Sequence, residues 1–182
     1  MSDIDNPRIW EGADVMVAPV GSTQPTDIAT AWDAAFISLG LLGEDGLTLS
    51  GEHDTTEHRA YGGVHVRTTK SKFKKTFKVI ALEDNKTVWA LVNPGSTAAT
   101  TTGITTRTVK TPTADPRAFG IEMTDGSITK RVVIPRGEVV DVSEISISDD
   151  SMAAFELTIE AYASEAGVFF IEITDDTQAD VT

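Results

Sequence analysis

Three histidines near acidic residues are the first side chains in the sequence whose types could do chemistry. His53, His58 and His65 lie in or beside the acidic segment 52–57, and imidazole and carboxylate groups together could bind a metal ion such as zinc. Because five residues separate His53 from His58, their side chains would point to opposite faces of a regular strand. The spacing disfavours a metal site, and we expect these histidines to be solvated residues of a hairpin.

Catalytic motifs are not found in the sequence. No Ser or Thr lies in a nucleophile-elbow context, no phosphate-binding loop is present, and the carboxylates are spread over strand faces instead of forming a convergent pair. The chain has no cysteine, which excludes a cysteine nucleophile, thiolate metal ligands and a disulfide scaffold. We therefore expect no enzymatic activity and no cofactor.

The segment 67–78 carries six basic residues and is the best nucleic-acid candidate in the chain. Alternate lysines on a strand could follow a phosphate backbone. Phe73 and Phe77 are expected on the opposite, core-directed face, where they cannot stack on bases beside those lysines. Exposed lysines also protect sheet edges from wrong pairing. We therefore favour a strand that faces solvent or another subunit.

The charge of the chain is arranged in three blocks. The 182 residues include 28 acidic and 15 basic side chains, a formal net charge of -13. Residues 1–57 carry eleven acids and one base, residues 58–136 five acids and fourteen bases, and residues 137–182 twelve acids and no base. The acidic balance argues against a conventional DNA-binding module. The blocks are either chance clusters on one mixed surface or a basic middle set against the acidic ends of neighbouring subunits.

Length and hydropathy indicate a soluble protein. A chain of 182 residues allows one large domain, or one domain with an extension. The segment 1–8 lacks the basic end and apolar run of a secretory signal, and no apolar run approaches the roughly 20 residues that cross a bilayer. We expect a protein folded in the cytoplasm, with no membrane partner.

Alternating polar and apolar residues predict an antiparallel β fold. A long hairpin is expected over residues 47–81, with Gly62 and Gly63 at its turn, because tight hairpin turns require positive φ. Such a hairpin has too little apolar surface to be stable alone and must pack against another part of the protein or against another chain. Further strands are expected over 117–124, 127–134, 139–148, 155–161 and 168–173, with turns at 125–126 and 135–137. The pattern predicts a sandwich or an open barrel.

One helix is expected over residues 83–93. Glu83 and Asp84 lie where the positive end of the helix dipole would be, and the segment 93–95, Asn-Pro-Gly, would end it. Trp89 and the aliphatic residues would form the buried stripe that covers the sheet.

A threonine-rich segment follows the helix. Residues 96–113 include nine threonines and almost no apolar anchor. Threonine favours an extended backbone, but nothing in the segment can form a core. We expect a mobile loop, or an arm that a partner orders.

A series of short motifs resembles a known family. The motifs are Val15–Gly21 with Pro25-Thr26, Leu39-Gly40 with Gly43–Leu47, Ala60–Gly63 with Val66-Arg67, and Leu82–Asn85. In this order and spacing they resemble the major tail tube protein of bacteriophages with long, non-contractile tails of the siphovirus type, above all those that infect actinobacteria. The resemblance covers residues 13–95, and Tyr61 stands where the family would have Trp.

The resemblance implies an all-β sandwich with one flanking helix. Six copies would close into a ring through a shared inner β-barrel, and rings would stack into a tube that conducts DNA during infection. The implied domain is 13–174, with an N-terminal arm at 1–12 and an acidic C-terminal arm at 175–182. The protein would belong to the virion tail and be made in the host cytoplasm. Implied partners are other copies of the chain, a tape measure protein, a tail terminator, distal tail and baseplate proteins, and passing double-stranded DNA.

Two sets of residues become candidates for this role. A net acidic bore would keep DNA off the wall, since carboxylates repel phosphate over roughly 8 Å at physiological salt, and Asp141, Glu156 and Glu160 are the lumen candidates. Contacts between subunits or rings are expected at Tyr61, Gly62, Gly63, Lys72, Lys74, Lys78, Thr101, Thr105 and Arg107.

Alternative functions stay open at this point. Another virion part, such as a distal tail or head–tail connector protein, would share much of the pattern. A carbohydrate-binding or adhesion module on a β-sandwich is the alternative from another class. Such a module would be expected to expose an aromatic platform, but Trp10, Trp32 and Trp89 lie in three different contexts.

Overall fold

The alternating segments fold mostly into antiparallel strands in a computed structural model that describes residues 7–143, 145 and 152–175. Within these ranges the elements are β1 (Gly12–Pro19), β2 (Ile37–Ser38), β3 (Leu42–Arg59), β4 (His65–Ala81), α1 (Lys86–Val92), β5 (Thr97–Thr101), β6 (Ile104–Thr108), β7 (Arg117–Asp125), β8 (Ile128–Val142), β9 (Phe155–Ala161) and β10 (Ile171–Thr174). The predicted all-β fold with one helix is confirmed.

Strand β8 connects the two halves of the main sheet. The strand order is β2-β1-β7-β8-β9-β4-β3, and β10 also pairs with β8. The first half of β8 pairs with β7 and β10, and its second half pairs with β9. Side chains from both halves pack in one apolar cluster, so that the sheet folds back on itself as an open sandwich.

The core consists mainly of the inward-facing residues of the strands of the sandwich, with Leu39 and the buried face of α1. In β9 every second residue is buried and the residues between are half-exposed, as a strand with one face on the core requires. The largest fully buried side chains come from both halves of the sandwich and from α1: Val15, Leu39, Val79, Val88, Phe119, Ile121, Val133, Ile134, Leu157 and Ile159.

The turn predicted at 135–137 is wrong. Strand β8 continues through this segment, with a shift of register against β7 between the pairs Gly137↔Arg117 and Ile134↔Phe119. Pro135 has no N–H to donate to a ladder, and a bulge tolerates it without ending the strand. A side chain at Gly137 would meet the Glu160 backbone oxygen at 2.9 Å, so that only glycine fits where β8 passes to the second half of the sandwich.

The helix is shorter than predicted. It begins after Asn85, whose side-chain oxygen accepts hydrogen bonds from the N–H groups of Thr87 (3.0 Å) and Val88 (2.9 Å). An asparagine N-cap satisfies N–H groups that have no partner inside the helix. Glu83 therefore lies outside the first turn, and its carboxylate accepts from the Leu41 N–H instead.

The segment 96–113, expected as a mobile loop or as an arm that a partner orders, contains a β-hairpin. Its mobility and its ordering by a partner stay predictions. Strands β5 and β6 pair over five residues each in a separate two-stranded sheet, turning at Thr102 (φ 50°) and Gly103 (φ 80°). The high β propensity of threonine decides the local structure even without a core. Every residue of β5 and β6 is exposed, so the hairpin contributes no residue to the buried core.

The division into arms stays a prediction. Strand β1 begins at Gly12 and β10 ends at Thr174, but residues 1–6 and 176–182 lie outside the described residues. The strand expected over 139–148 ends at Val142 as the last part of β8, and residues 144 and 146–148 of the expected range lie outside the described residues. In the described part of the chain, no helix has the length and hydropathy to cross a membrane.

Candidate functional surfaces

The outward face of β1, β7 and the first half of β8, here called the covered face, is closed by the segment 22–36. Met16, Ala18 and Ala118 point outward from the sheet and pack with Phe36, while Trp32 adds its ring to the same cluster. A side chain at Gly120 would meet the Trp32 ring at 2.5 Å. The sheet therefore has a second, smaller apolar layer on this side.

A buried arginine fixes this segment to the sheet. Arg131 is 7% exposed, and its Nε donates to Glu122 Oε2 at 2.6 Å while one Nη donates to the Thr30 carbonyl at 2.6 Å. Trp32 Nε1 donates to the same Glu122 oxygen at 2.7 Å, and the guanidinium lies 5.3 Å from the Trp32 ring centroid. A charge buried this deeply needs such a set of partners. Sequence reasoning missed this cluster, although a basic residue next to the apolar run of β8 was a usable signal.

The outward face of β3, β4, β9 and the second half of β8, here called the open face, carries charged side chains and no covering segment within the described residues. Phe77 and Ile159 point to the core, so that their neighbours point outward. Cross-strand pairing places the charged residues on this face side by side: Glu52, Lys74, Lys78, Glu138, Asp141, Glu156 and Glu160. Five carboxylates against two ammonium groups leave the open face net acidic.

Lysines of β4 and carboxylates of β9 form ion pairs across the open face. Lys74 Nζ lies 2.9 Å from Glu160 Oε2, and Lys78 Nζ lies 2.9 Å from Glu156 Oε1. The hydrogen bond from Lys78, with a second one from Ser143, lowers the pKa of Glu156, and the carboxylate partners raise the pKa of both lysines. Sequence reasoning assigned the lysines and the glutamates to different surfaces, and the structure brings them together on one.

Two further carboxylates lie at the β8 edge of this face. Glu138 is directly opposite Glu160 in the β8–β9 ladder, and Asp141 is exposed opposite Thr158. The Tyr162 hydroxyl donates to Glu138 Oε2 at 2.8 Å. Burial, together with this bond to a carboxylate, raises the pKa of Tyr162 to about 12. The donated hydrogen bond offsets part of the repulsion between the two facing glutamates.

The outer part of the long hairpin, residues 52–73, is here called the ribbon. Strands β3 and β4 pair from Leu42 and Ala81 outward, while β9 accompanies β4 only as far as Lys75. Beyond that point the described residues include no strand beside the ribbon. Gly62 (φ 89°) and Gly63 (φ 83°) form its turn, as the sequence predicts, and Tyr61 at the tip is 108% exposed.

The ribbon corrects one prediction from the pattern of β4. Phe73, expected on the core-directed face, is 57% exposed and stacks on His53 with 6.1 Å between ring centroids. Phe73 lies beyond Lys75, the last residue of β4 that pairs with β9, and so beyond the sandwich core. A shift of register between Glu52 and Asp54 lies beside it, at Lys72, which has a positive φ of 53°. Lys72 Nζ bonds to Asp54 Oδ2 at 2.7 Å across this bulge.

The other two histidines also make ordinary polar contacts. His58 Nε2 lies 3.0 Å from Thr69 Oγ1, and His65 Nε2 lies 2.9 Å from Thr68 Oγ1. Among the described residues, no group of three or more acidic or histidine side chains could hold a metal ion.

Arg107 ties the β5–β6 hairpin to the helix. Its Nη1 donates to both carboxylate oxygens of Asp84 at 2.8 and 2.9 Å, and its guanidinium lies 5.4 Å from the Trp89 ring centroid. Trp89 is thus half-buried under an arginine, not part of a fully buried stripe. Thr105 shares a hydrogen bond of 2.8 Å with Thr100, and Thr101 is exposed near the turn. Arg107 is engaged within its own subunit, and a contact of these residues with neighbours stays a prediction.

Comparison with solved structures shows a shared fold. One chain in the structure of the sheath–tube complex of an extracellular contractile injection system, PVC, in its extended state superposes with a TM-score of 0.53 at 12% identity, covering 93% of each chain. The tube-terminating cap of the anti-feeding prophage superposes with a TM-score of 0.52 at 10% identity, covering 96% of this chain and 95% of that one. The sheath/tube terminator of PVC gives a TM-score of 0.51 at 13% identity, covering 93% and 99%. No curated protein matches the sequence.

A sequence model of a protein family identifies the family, which structural similarity at 10–13% identity does not. The model described as phage tail tube protein matches residues 5–182, which is nearly the whole chain and extends well beyond the motifs of residues 13–95. The chain therefore belongs to the phage tail tube protein family, and its role is structural, as a component of a tail tube.

Proposed function

We propose that the protein polymerises as stacked hexameric rings and that the resulting tube conducts double-stranded DNA during infection. The observation that carries this proposal is the ribbon, whose strands extend away from the sandwich with both faces exposed. A two-stranded ribbon is at best marginally stable on its own, and its long open edges are templates for pairing with another chain. Other copies of the same chain are the partners that the family provides.

The open face supplies a second argument. Its four strands form a part of the sheet whose two outer edges, at β3 and at the second half of β8, are not paired with another described strand. Strand β3 ends the sheet order, and the residues of β8 after Gly137 pair with β9 alone among the described strands. Strands with free edges on both sides can join side by side in neighbouring copies, and a closed ring of them leaves no edge exposed. We infer that the inner barrel of the ring forms in this way.

The open face would then line the bore. Its net acidic character fits a wall from which DNA must be released, and Asp141, Glu156 and Glu160 are the proposed lumen residues. Lys74 and Lys78 would also face the lumen, which departs from the expectation that they contact other subunits. Lys72, Tyr61, Gly62 and Gly63 stay the proposed contacts of the ribbon, and Thr101, Thr105 and Arg107 those of the β5–β6 hairpin.

The proposed role requires no catalysis, nucleotide or metal ion. The partners would be other copies of the chain, a tape measure protein inside the tube, a tail terminator, and distal tail or baseplate proteins at the other end. The subunit would be made in the host cytoplasm before assembly into the virion.

A tube terminator is the second candidate, because two of the similar structures are a terminator and a terminating cap. Negative-stain images of the concentrated protein separate the two roles. Tubes of many stacked rings support the proposed function, single rings favour the terminator, and monomers at all concentrations contradict both.

Shortening the ribbon tests the observation on which the proposal depends. We expect replacement of residues 55–70 by Asn-Gly, a sequence suited to a tight hairpin turn, to leave a folded sandwich that forms no tubes. Asp54 and Ser71 are cross-strand partners, so the new turn fits the register. Circular dichroism checks folding and electron microscopy checks assembly. Normal tubes from this variant would contradict the role of the ribbon.

Deletion of residues 100–110 tests the β5–β6 hairpin. We expect a folded subunit that forms no tubes, because these residues are exposed and contribute nothing to the core. Arg107→Ala is the milder control, since it releases the hairpin from Asp84 without shortening it. Tubes of normal length from the deletion variant would count against an assembly role for this segment.

A further inference from the structure

Strand β4 is rich in cations. Its six basic residues, spread along 12 positions of one strand, are Arg67, Lys70, Lys72, Lys74, Lys75 and Lys78. A nucleic-acid backbone could follow cations along one strand, because each phosphate contact releases condensed counterions and adds to affinity. On a surface along which DNA is to move, such cations would bind the phosphates and retain the DNA.

Three of these lysines are already occupied by carboxylates from the strands on either side. Asp54 of β3 lies 2.7 Å from Lys72, Glu160 of β9 lies 2.9 Å from Lys74, and Glu156 of β9 lies 2.9 Å from Lys78. The two carboxylates on β9 alternate with Thr158 and face outward together. Each one stands where a phosphate oxygen would otherwise accept the ammonium proton.

We propose that Asp54, Glu156 and Glu160 mask Lys72, Lys74 and Lys78 against phosphate, so that these three lysines, on the open face and at the base of the ribbon, do not hold nucleic acid. This inference rests on the proposed passage of DNA along the open face. A phosphate must displace a hydrogen-bonded carboxylate to reach a masked lysine, and it then gains little, because one anionic partner replaces another. The effect is local, and it differs from general repulsion by the net charge of -13.

The same geometry explains why the face keeps lysines at all. Glu138 and Glu160 are directly opposite each other on neighbouring strands, and like charges in such positions destabilise a sheet. Lys74 contacts Glu160 and offsets this repulsion. A face with carboxylates alone would lose that contact. Paired charges reduce the repulsion between neighbouring strands, and they leave the paired lysines unavailable to DNA.

Removing the carboxylates while keeping the shape of the side chains tests the masking. The double variant Glu156→Gln, Glu160→Gln is titrated against fluorescein-labelled duplex DNA of 30 base pairs, with anisotropy as the readout. We expect no binding by the unmodified protein and measurable binding by the variant. With two lysines freed, the slope of log K against log salt should be about -1.8, a loss of roughly 12-fold between 50 and 200 mM salt. Adding Asp54→Asn should steepen the slope to about -2.7.

A matched control separates masking from net charge. Glu11→Gln with Glu165→Gln raises the charge by the same two units, but neither of these exposed carboxylates pairs with a lysine within the described residues. We expect this variant not to bind DNA. Adding Lys74→Gln and Lys78→Gln to the double variant should abolish the binding gained. Failure of the double variant to bind, or equal binding by the control, would overturn the inference.

The outcome is distinguishable from failure of the proposed function. DNA binding is measured on the unassembled subunit, and tube formation by the unmodified protein is scored separately by electron microscopy. If the double variant does not fold, the single variants Glu156→Gln and Glu160→Gln replace it, each with an expected slope of about -0.9. Absence of binding by both folded single variants would equally overturn the masking.

Discussion

The two outward faces of the sandwich satisfy their charges in opposite ways. On the covered face, Arg131 is buried and is bound by Glu122, by backbone carbonyls and by the Trp32 ring. On the open face, Lys74 and Lys78 are 42% and 53% exposed at the side chain and form one ion pair each. Both faces belong to the same continuous sheet, and strand β8 contributes to each.

The difference lies in how much each ion pair contributes to stability. A buried charge costs several kcal/mol in desolvation and must be satisfied fully, so that loss of one partner destabilises the fold. An exposed ion pair contributes little to stability because water and salt screen it. The Arg131 cluster of the covered face therefore stabilises the subunit, whereas the ion pairs of the open face contribute little to its stability.

The largest expected effect is on the covered face. We expect Glu122→Ala to lower the free energy of unfolding by about 3 kcal/mol, because it leaves Arg131 buried without its carboxylate and removes the acceptor of Trp32 Nε1. Urea denaturation followed by tryptophan fluorescence measures this. The second substitution Arg131→Met should recover part of the loss, since the unpaired charge is then gone. A change below about 0.5 kcal/mol for Glu122→Ala would contradict a structural role for the cluster.

An intermediate effect is expected where the segment 22–36 meets the sheet. The added methyl group of Gly120→Ala would lie 2.5 Å from the Trp32 ring, and we expect a loss of roughly 1–3 kcal/mol as the ring is pushed off the sheet. Thr158→Ala, a small change on the open face, is the matched control and should stay within about 0.5 kcal/mol. Equal urea midpoints for the two variants would show that the two faces do not differ in this way.

The smallest expected effect is on the stability of the protein at low pH, to which an ion pair of the open face contributes. The pKa of Glu156 is lowered below its ordinary value of 4.5 by the hydrogen bond from Lys78. A lowered carboxyl pKa contributes stability that is present above the unfolded value and is lost as the pH falls through the folded value. We therefore expect the urea midpoint of the unmodified protein to decrease when the pH is lowered below about 4.5. The decrease should be smaller in Glu156→Gln, which lacks the titrating carboxyl group. An identical acid dependence would indicate that the ion pair adds nothing.

Much of the fold follows from local patterns in the sequence. Period-two alternation in the segment 155–161 determines which residues are buried, and the pair Gly62-Gly63 determines where the long hairpin turns. The motifs of residues 13–95 were sufficient to indicate the family. Local signals placed the start of the helix too early and predicted a turn at 135–137 where β8 continues. Asn85 and Gly137 act through contacts with the backbone, which the alternation does not encode.

What only the tertiary structure decided is which faces meet. Alternation shows that Lys78 and Glu156 each point away from the core, but 78 residues separate them, and a strand pattern carries no information on which strands become neighbours. The pairing of β4 with β9 sets these charges 2.9 Å apart. The pairing of β7 with β8 likewise places Glu122 beside Arg131, and the covering segment then removes that pair from water. Alternation indicated most of the strands of the sandwich and their two faces, while the order of the strands determined the chemistry of each face.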